Sequence, residues 1–168
     1  MIFETERLLV RKLELEDHEL FFDLKSNINV AKLLPRKTLS KIESDLELKT
    51  LINLEQNSTK KIWALTKKEN LELMGCCGIM KNESNQDEIG YQLREKFWNF
   101  GFGTEIAKAL IDFVFYNLKS EIVTADVNLE NKSSIKILSK FMTLEKEFFN
   151  PEDNCFDRRY ILRKVNWK

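Results

Sequence analysis

Proline and glycine are scarce in this chain, which has two prolines and five glycines among 168 residues. A flexible tether between domains is normally rich in such residues or in serine, so their scarcity argues against a linker. The length also corresponds to roughly one domain of about 150 residues. We therefore expect residues 1–168 to form a single domain.

The chain has no excess of positive or negative charge, because 27 Lys and Arg residues balance 27 Asp and Glu residues. Proteins that bind nucleic acid usually carry a basic excess that meets the phosphates, so that class is not expected. The sequence contains no run of about 18 apolar residues, the length that is needed to span a membrane. Glu4 and Glu6 stand where a signal peptide would carry positive charge. The sequence predicts a cytoplasmic protein that binds neither nucleic acid nor a membrane.

Cysteine and histidine are too few for the common metal or nucleophile sites. The three cysteines are Cys76, Cys77 and Cys155, and they form no C-x-x-C spacing. His18 is the only histidine and lies among acidic residues early in a predicted helix, which excludes a Ser-His or Cys-His nucleophile. We expect no bound metal.

Strand-like and helix-like segments alternate along the chain. Seven segments have the apolar pattern of strands: residues 8–13, 62–66, 74–80, 88–93, 122–127, 144–149 and 156–165. Four have helical periodicity: residues 16–27, 40–54, 103–118 and a segment that begins at Asn131. This order predicts a mixed α/β domain with one central twisted sheet of about seven strands and about four helices.

Two glycines, Gly101 and Gly103, stand where the longest predicted helix begins. The N–H groups of a first helical turn have no partner in the helix, and the helix dipole favours an anion, so phosphate is a natural ligand. A P-loop would need a lysine after the second glycine, and a dinucleotide fingerprint would need a glycine at Ile106. Two explanations stay open: another kind of phosphate site, or a helix start that glycine makes flexible and that binds no ligand.

A second helix start has Asn131, a favoured N-cap residue, followed by Ser134 at the third helical position. It follows the predicted strand 122–127, which would lie beside the strand 88–93. Both helix starts would then face one cleft. Taken alone, this segment is equally explained as an ordinary helix start.

Several segments together resemble the GNAT acetyltransferase superfamily, specifically its RimJ/RimL-like branch (ribosomal-protein-alanine acetyltransferase-like). They are EIGYQL at 88–93, WNFGFGTE at 98–105 and NKSSIKIL at 131–138, with ETERL at 4–8 and VAKLLP at 30–35. The resemblance runs from Glu4 to Trp167 in the expected order. It implies a sheet splayed between the fourth and fifth predicted strands, with acetyl-CoA bound in the opening.

The resemblance also implies which residues bind acetyl-CoA. They are Gln92, Leu93, Trp98, Asn99, Phe100, Gly101, Phe102, Gly103, Thr104, Asn131 and Ser134. Main chain of residues 99–104 would hold the pyrophosphate, with Trp98 where many members have Gln or Arg. Main chain near Gln92 and Leu93 would pair with the pantetheine arm, Asn131 would hydrogen-bond that arm, and Ser134 would lie near the sulfur. Met142 stands where the family usually ends the last helix with glycine.

Acetyl transfer requires a neutral amine, a donor for the developing oxyanion and a proton for the leaving thiolate. We predict that Glu88 is the base, directly or through water, and that Ser134 protonates or hydrogen-bonds the sulfur. A backbone N–H near Leu93 would stabilise the oxyanion. A solvated strand-end carboxylate and an ordinary helix-start serine are the alternatives for Glu88 and Ser134.

The expected reaction is transfer of an acetyl group from acetyl-CoA to a primary amine by direct attack in a ternary complex. An N-terminal α-amine has a pKa of about 7.7–8.0 and a lysine about 10.4, so a weak base suits the α-amine of a peptide better. Small amines such as a polyamine or an antibiotic stay open, as does a non-catalytic CoA-binding module. Residues 16–56 and the hairpin before Glu88 would line the acceptor side. The protein would be a monomer or a homodimer, with strand 144–149 as a candidate dimer surface.

Overall fold

The structure, a computed structural model, describes residues 1–54 and 59–168. Within those ranges eight strands form one sheet in the order β1-β2-β3-β4-β5-β6-β8-β7. The strands are β1 (Phe3–Glu4), β2 (Leu8–Arg11), β3 (Lys61–Lys67), β4 (Leu73–Lys81), β5 (Asp87–Leu93), β6 (Ile122–Asn128), β7 (Thr143–Asn150) and β8 (Cys155–Arg163). Neighbouring strands are antiparallel except β5 and β6, which are parallel.

Helices cover both faces of this sheet. They are α1 (His18–Ser26), α2 (Ile28–Leu33), α3 (Lys41–Leu54), α4 (Phe102–Asp112) and α5 (Lys132–Leu138), and α4 continues into a π-helical turn, Phe113–Asn117. One buried cluster joins α4 and α5 to the sheet, and a second joins α1, α2 and α3 to its opposite face. None of the helices in the described part of the chain has both the length and the apolar character needed to cross a membrane.

The predicted mixed α/β sheet is confirmed, with one strand and one helix more than expected. The strand that the sequence did not predict is β1, which has only two residues. The additional helix is α2, separated from α1 by Asn27 in an extended conformation (φ −76°, ψ 118°). The Asn27 side chain ends one helix and begins the next, because it accepts hydrogen bonds from the N–H groups of Asn29 and Val30 at 2.8 and 3.2 Å.

The sheet opens between β5 and β6, the fourth and fifth predicted strands. These strands pair only where Asp87 meets Val123 and Glu88 meets Thr124. Beyond Glu88 they diverge, while β5 stays paired with β4 as far as Leu93. The edges of β5 and β6 therefore face a gap in which their main-chain groups have no partner strand.

The register of β5 decides which peptide groups face this gap. The N–H of Arg94 donates to Met74 O at 2.8 Å, so the alternation of an antiparallel pair directs the main chain of even-numbered residues toward β4. The main chain of Ile89, Tyr91 and Leu93 consequently faces the gap.

The end of α5 is compact without the expected glycine. The N–H groups of Phe141 and Met142 both donate to Leu138 O, at 3.0 and 2.9 Å, and Met142 is buried in the core. Met142 is not among the residues with positive φ. No glycine is needed at this turn, because no residue there enters the left-handed region.

Candidate active site

A cavity of about 430 Å³ lies at the opening between β5 and β6. Successive side chains of a strand point to opposite faces of a sheet, and the cavity is lined by Glu88 and Gly90 from one face of β5 and by Ile89 and Tyr91 from the other. The cavity therefore passes through the sheet. On one side it reaches α5, and on the other it reaches the loop after α2 and the turn between β7 and β8.

The α5 side of the cavity contains two of the predicted residues. Asn131 caps α5 as expected, because its Oδ1 accepts a hydrogen bond from the N–H of Ser134 at 3.1 Å. This leaves the side-chain amide nitrogen of Asn131 without an acceptor among the described residues. That nitrogen and the Ser134 hydroxyl are groups that a ligand in the cavity can reach, because both residues line it.

Tyr91 lies on the same side and was not predicted as a site residue. Its hydroxyl is buried and has no hydrogen-bond partner in the described part of the chain. Burial raises the pKa of Tyr91 to about 12, and the neighbouring Ser134 side chain opposes that rise. The phenol therefore stays protonated near neutral pH, where it is a hydrogen-bond donor and a poor source of protons. In the sequence Tyr91 shares the two-residue period of Ile89 and Leu93, which is the pattern of a core residue.

The glycine turn precedes α4 and exposes main-chain donors. Gly101 is the N-cap with φ +81°, and Asn99 also has a positive φ, +67°. The N–H of Glu105 donates to Gly101 O at 3.1 Å. The N–H groups of Phe102 and the two residues after it have no acceptor within residues 1–54 and 59–168. This turn fits an anion, because three unpaired donors lie at the positive end of the helix dipole.

Gly103 brings this turn against α5 and Tyr91. A Cβ atom at Gly103 would lie 2.9 Å from Cδ1 of Ile137 and 3.6 Å from Cε2 of Tyr91. A larger residue would have to displace Ile137. The predicted residues Trp98 to Thr104 do not line the cavity, but they adjoin it at this close contact.

Trp98 connects the glycine turn to the end of β5. Its Nε1 donates to Leu93 O at 2.9 Å, so one acceptor site of that carbonyl is occupied, while the Leu93 N–H still faces the gap. Gln92 differs from the expectation: its main chain is directed toward Cys76 of β4, because it is an even-numbered residue of β5. The main chain of Tyr91, rather than that of Gln92, lies beside Leu93 at the gap.

Carboxylates from three different segments surround one buried guanidinium on the opposite side of the cavity. Nε and Nη2 of Arg159 donate to Oδ1 and Oδ2 of Asp126, each at 2.7 Å. Arg159 also binds both carboxylate oxygens of Glu83. Its Nη2 lies 3.8 Å from Oε2 of Glu88. Arg159 is only 3% exposed, and Glu88 and Asp126 are mostly buried, whereas the Glu83 side chain is 61% exposed, so water screens Glu83 more than the other charges.

Glu88 has the electrostatic properties of a base that works near neutral pH. The pKa of Glu88 is raised to about 7, chiefly by burial and also by the nearby Asp126 carboxylate, while Arg159 opposes the rise. A solvated strand-end carboxylate would keep a pKa near its ordinary value of about 4.3. The structure therefore does not favour that alternative.

Two loops close the Glu88 side of the cavity. Of the predicted segment 16–56, residues 33–36 line the cavity, and positions 55 and 56 lie outside the described residues. The hairpin before Glu88 contributes Asn82 and Glu83. Arg36 Nε lies 3.5 Å from Asp153 Oδ1, so an ion pair joins the loop after α2 to the turn between β7 and β8.

Metal ligation has no support in the described ranges. No group of three or more His, Cys, Asp or Glu residues there is arranged to hold a metal ion.

The comparison with known proteins agrees with this geometry. Residues 7–141 match the family model of the acetyltransferase (GNAT) domain. The chain is 32% identical over 148 residues to the uncharacterized N-acetyltransferase p20 of Bacillus licheniformis, covering 85% of this chain and 82% of that protein. The chain belongs to the GNAT acetyltransferase family. It is an acetyl-CoA-dependent N-acetyltransferase, since that family uses acetyl-CoA as its acetyl donor.

Two solved structures with this fold belong to enzymes that act on different acceptors. The spermidine N-acetyltransferase of Vibrio cholerae, in complex with CoA and spermine, superposes with a TM-score of 0.79 at 17% identity over 96% of this chain and 98% of that one. The acetyl transferase of Salmonella typhimurium that modifies the N-terminal serine of 50S ribosomal subunit protein L7/L12 gives 0.78 at 18% identity over 95% and 96%. At these identities the similarity establishes the fold alone.

Proposed function

We propose that this protein transfers the acetyl group of acetyl-CoA to the α-amine of a peptide N-terminus, by direct attack in a ternary complex. The observation that carries the proposal is the cavity that passes through the sheet. Glu88 lies on one side of the opening, and Tyr91, Asn131 and Ser134 lie on the other. An acceptor and a donor can therefore enter from opposite faces and meet at the gap.

Acetyl-CoA is assigned to the α5 side. The N–H groups of Phe102, Gly103 and Thr104 would bind the pyrophosphate, and residues 98–101 would hold the shape of that turn. Main-chain groups of Tyr91 and Leu93 would pair with the pantetheine arm, as one strand pairs with another. The free amide nitrogen of Asn131 would donate to the same arm.

Residues of this chain accept the proton that the amine loses and stabilise the charges that develop in the reaction. Glu88 takes the proton that the amine loses, directly or through water. The Leu93 N–H donates to the thioester carbonyl oxygen as the C–N bond forms, and removing such a donor costs about 3 kcal/mol. Ser134 and Tyr91 donate hydrogen bonds to the sulfur as the C–S bond breaks, and CoA leaves as a thiolate that takes its proton from water.

The α-amine is preferred because its pKa matches that of Glu88. A base with a pKa of about 7 removes a proton from an α-amine of about 7.7–8.0 with little free-energy cost. A lysine side chain, at about 10.4, would be several kcal/mol more difficult. The proposal places the chain in the RimJ/RimL-like branch, and the Salmonella enzyme that modifies an N-terminal serine has the same fold.

A polyamine is the second candidate, and the charge of the cavity favours it. Six carboxylates line the cavity, on Glu83, Glu88, Asp126, Glu152, Asp153 and Asp157, against three basic residues, Arg36, Lys81 and Arg159. A net negative surface attracts a polycation. The Vibrio spermidine N-acetyltransferase shares the fold.

An acceptor screen separates these candidates. We would measure thiol release and product mass with acetyl-CoA and three acceptors: a free-N-terminus peptide, the same peptide N-blocked but with an internal lysine, and spermidine. We expect kcat/KM to be at least about tenfold higher for the free peptide. Faster acetylation of spermidine would select the second candidate, and no turnover with any amine would leave a non-catalytic CoA-binding module.

The remaining assignments are also proposals. Residues 1–168 would form one domain, because both buried clusters pack on the same sheet. The protein would be a monomer or a homodimer. Leu144 and Phe149 are about half exposed on β7, the edge strand, and could form the dimer surface.

A further inference from the structure

Arg7, in the segment between β1 and β2, lies against the glycine turn that precedes α4. Its Nη1 donates to Phe100 O at 3.0 Å, and its guanidinium carbon lies 4.3 Å from the ring centroid of Phe102. A Cβ atom at Gly101 would lie 3.5 Å from Nη2. One guanidinium therefore contacts three consecutive residues of the turn.

Glu105, in the first turns of α4, fixes the position of Arg7. Nε and Nη2 of Arg7 both lie 2.7 Å from Oε2 of Glu105, and the Arg7 N–H donates to Oε1 at 3.0 Å. Thr5 Oγ1 also donates to Oε1, at 2.5 Å. These hydrogen bonds hold the pKa of Glu105 below its ordinary value, although burial opposes them. The ion pair therefore persists near neutral pH.

The contact with Phe100 restrains a peptide that could otherwise rotate. The C=O and N–H of a trans peptide point to opposite sides, so binding the Phe100 carbonyl also fixes the direction of the Gly101 N–H. Glycine adopts both signs of φ readily, so Gly101 itself gives little resistance to rotation of this peptide. A change in φ at Gly101 would move the start of α4, and with it the three unpaired N–H groups, relative to the rest of the turn.

The turn contains no cation of its own. Residues 98–104 read WNFGFGT, with no lysine or arginine. Arg7 is held within hydrogen-bond distance of this turn, and its side chain is 44% exposed. Because Glu105 pairs with its charge, Arg7 contributes a fixed hydrogen-bond donor, rather than net positive charge, at the place where the proposed function puts two phosphates.

We propose that Arg7, held by Glu105, is a positioning residue for the diphosphate of acetyl-CoA. It keeps the main chain of residues 100–102 in the conformation that directs the N–H groups of α4 toward the phosphates. This inference rests on the proposed placement of acetyl-CoA at the turn. Its experiment therefore has to separate the diphosphate from the rest of the donor.

The test compares acetyl-CoA with S-acetylpantetheine, which has the thioester and the pantetheine arm but no diphosphate. In Arg7→Gln we expect Kd for CoA, measured by calorimetry, and KM for acetyl-CoA to rise about tenfold, about 1.4 kcal/mol. KM for S-acetylpantetheine and kcat should not change. Glu105→Gln should act in the same direction, and the double variant should lose little more than the worse single variant, because the two residues act as one unit.

Arg158→Gln is the matched control. It removes an exposed arginine whose Nε binds Glu147 at 2.7 Å, and it leaves the glycine turn intact. Equal losses with both donors in Arg7→Gln, or unchanged CoA affinity, would overturn the inference. Failure of the wild-type protein to bind CoA would instead overturn the proposed function. If Arg7→Gln does not fold, Arg7→Lys answers the same question, because it keeps the charge and loses the planar fork.

Discussion

Arg159 of β8 and Asp126 of β6 form an ion pair with two hydrogen bonds of 2.7 Å each. The same guanidinium is 3.8 Å from Glu88, too far for a hydrogen bond. Arg159 is therefore committed to Asp126 and to Glu83, which it also binds through both carboxylate oxygens, and it neutralises Glu88 only in part. This explains how Glu88 has a raised pKa beside a buried arginine.

The rate should depend on the ionisation of Glu88. Because the base must be unprotonated, we expect kcat/KM to rise with pH through about 7. Glu88→Gln should remove this ascending limb of the pH profile, leave the limb of the acceptor α-amine near its own pKa of about 7.7–8.0, and lower kcat about 10²–10³-fold. Initial rates across the range that spans this pKa measure both effects. Identical profiles for wild type and Glu88→Gln would exclude Glu88 as the base.

Asp126→Asn should move the rise of kcat/KM that reports the ionisation of Glu88 to lower pH. The substitution removes a carboxylate that raises the pKa of Glu88, and it leaves Arg159, which still binds Glu83, with one fewer negative charge to neutralise. Both changes favour the charged form of Glu88, so we expect a shift of about one pH unit downward. Glu147→Gln, which removes an exposed carboxylate paired with Arg158, is the control and should leave the limb in place. An upward shift after Asp126→Asn contradicts this account.

Glu88 should also make the protein less stable as the pH rises. Its pKa is raised from 4.5 to about 7 on folding, so the folded state binds this proton more tightly than the unfolded state. The contribution to the free energy of unfolding is complete below about pH 4.5 and is lost as pH rises through about 7.

Glu88→Gln should remove this dependence and stabilise the protein above pH 7 by up to about 3 kcal/mol. Urea unfolding of both proteins, below and above the raised pKa, measures the difference. A variant less stable than wild type on the alkaline side would show that charged Glu88 is stabilising, contrary to this interpretation.

Tyr91→Phe should have opposite effects on stability and on ligand binding. The Tyr91 hydroxyl is buried and forms no well-oriented hydrogen bond, which costs about 1–3 kcal/mol when nothing compensates; the nearby Ser134 side chain compensates in part, so removal of the hydroxyl should stabilise the free protein by up to about 1 kcal/mol. If that hydroxyl donates to acetyl-CoA, the affinity for CoA should fall in the same variant. Thermal unfolding and calorimetry measure the two effects. A stabilised variant with unchanged affinity would leave the hydroxyl without a role.

Local patterns were sufficient to predict most elements of the fold. The apolar alternation predicted seven of the eight strands. The residue types at the helix start predicted that Asn131 caps α5, and the structure confirms this cap, because Asn131 Oδ1 lies 3.1 Å from the Ser134 nitrogen. The short elements β1 and α2 were missed because two and six residues carry too little periodicity. Such elements are fixed by tertiary contacts and by one capping side chain.

The electrostatic parts of the site could not be predicted, because their members are distant in sequence. Arg159 meets Glu83 across 76 positions, and Arg7 meets Glu105 across 98. Neither pair has a local pattern that distinguishes it from ordinary surface charges. The role of Tyr91 was hidden for a different reason: a tyrosine that alternates with aliphatic residues has the pattern of the core.

Gly90 provides a test of which side of the cavity receives the acceptor. It lies on the Glu88 face of β5, and a Cβ atom there would meet no heavy atom within 4 Å. In Gly90→Leu the new side chain should fill that side without disturbing the fold. We expect KM for the amine to rise at least about tenfold and Kd for CoA to stay the same. Gly90→Ala, with a single methyl group, should have a much smaller effect on KM. Loss of CoA affinity in Gly90→Leu would place the donor, rather than the acceptor, on the Glu88 side of the sheet.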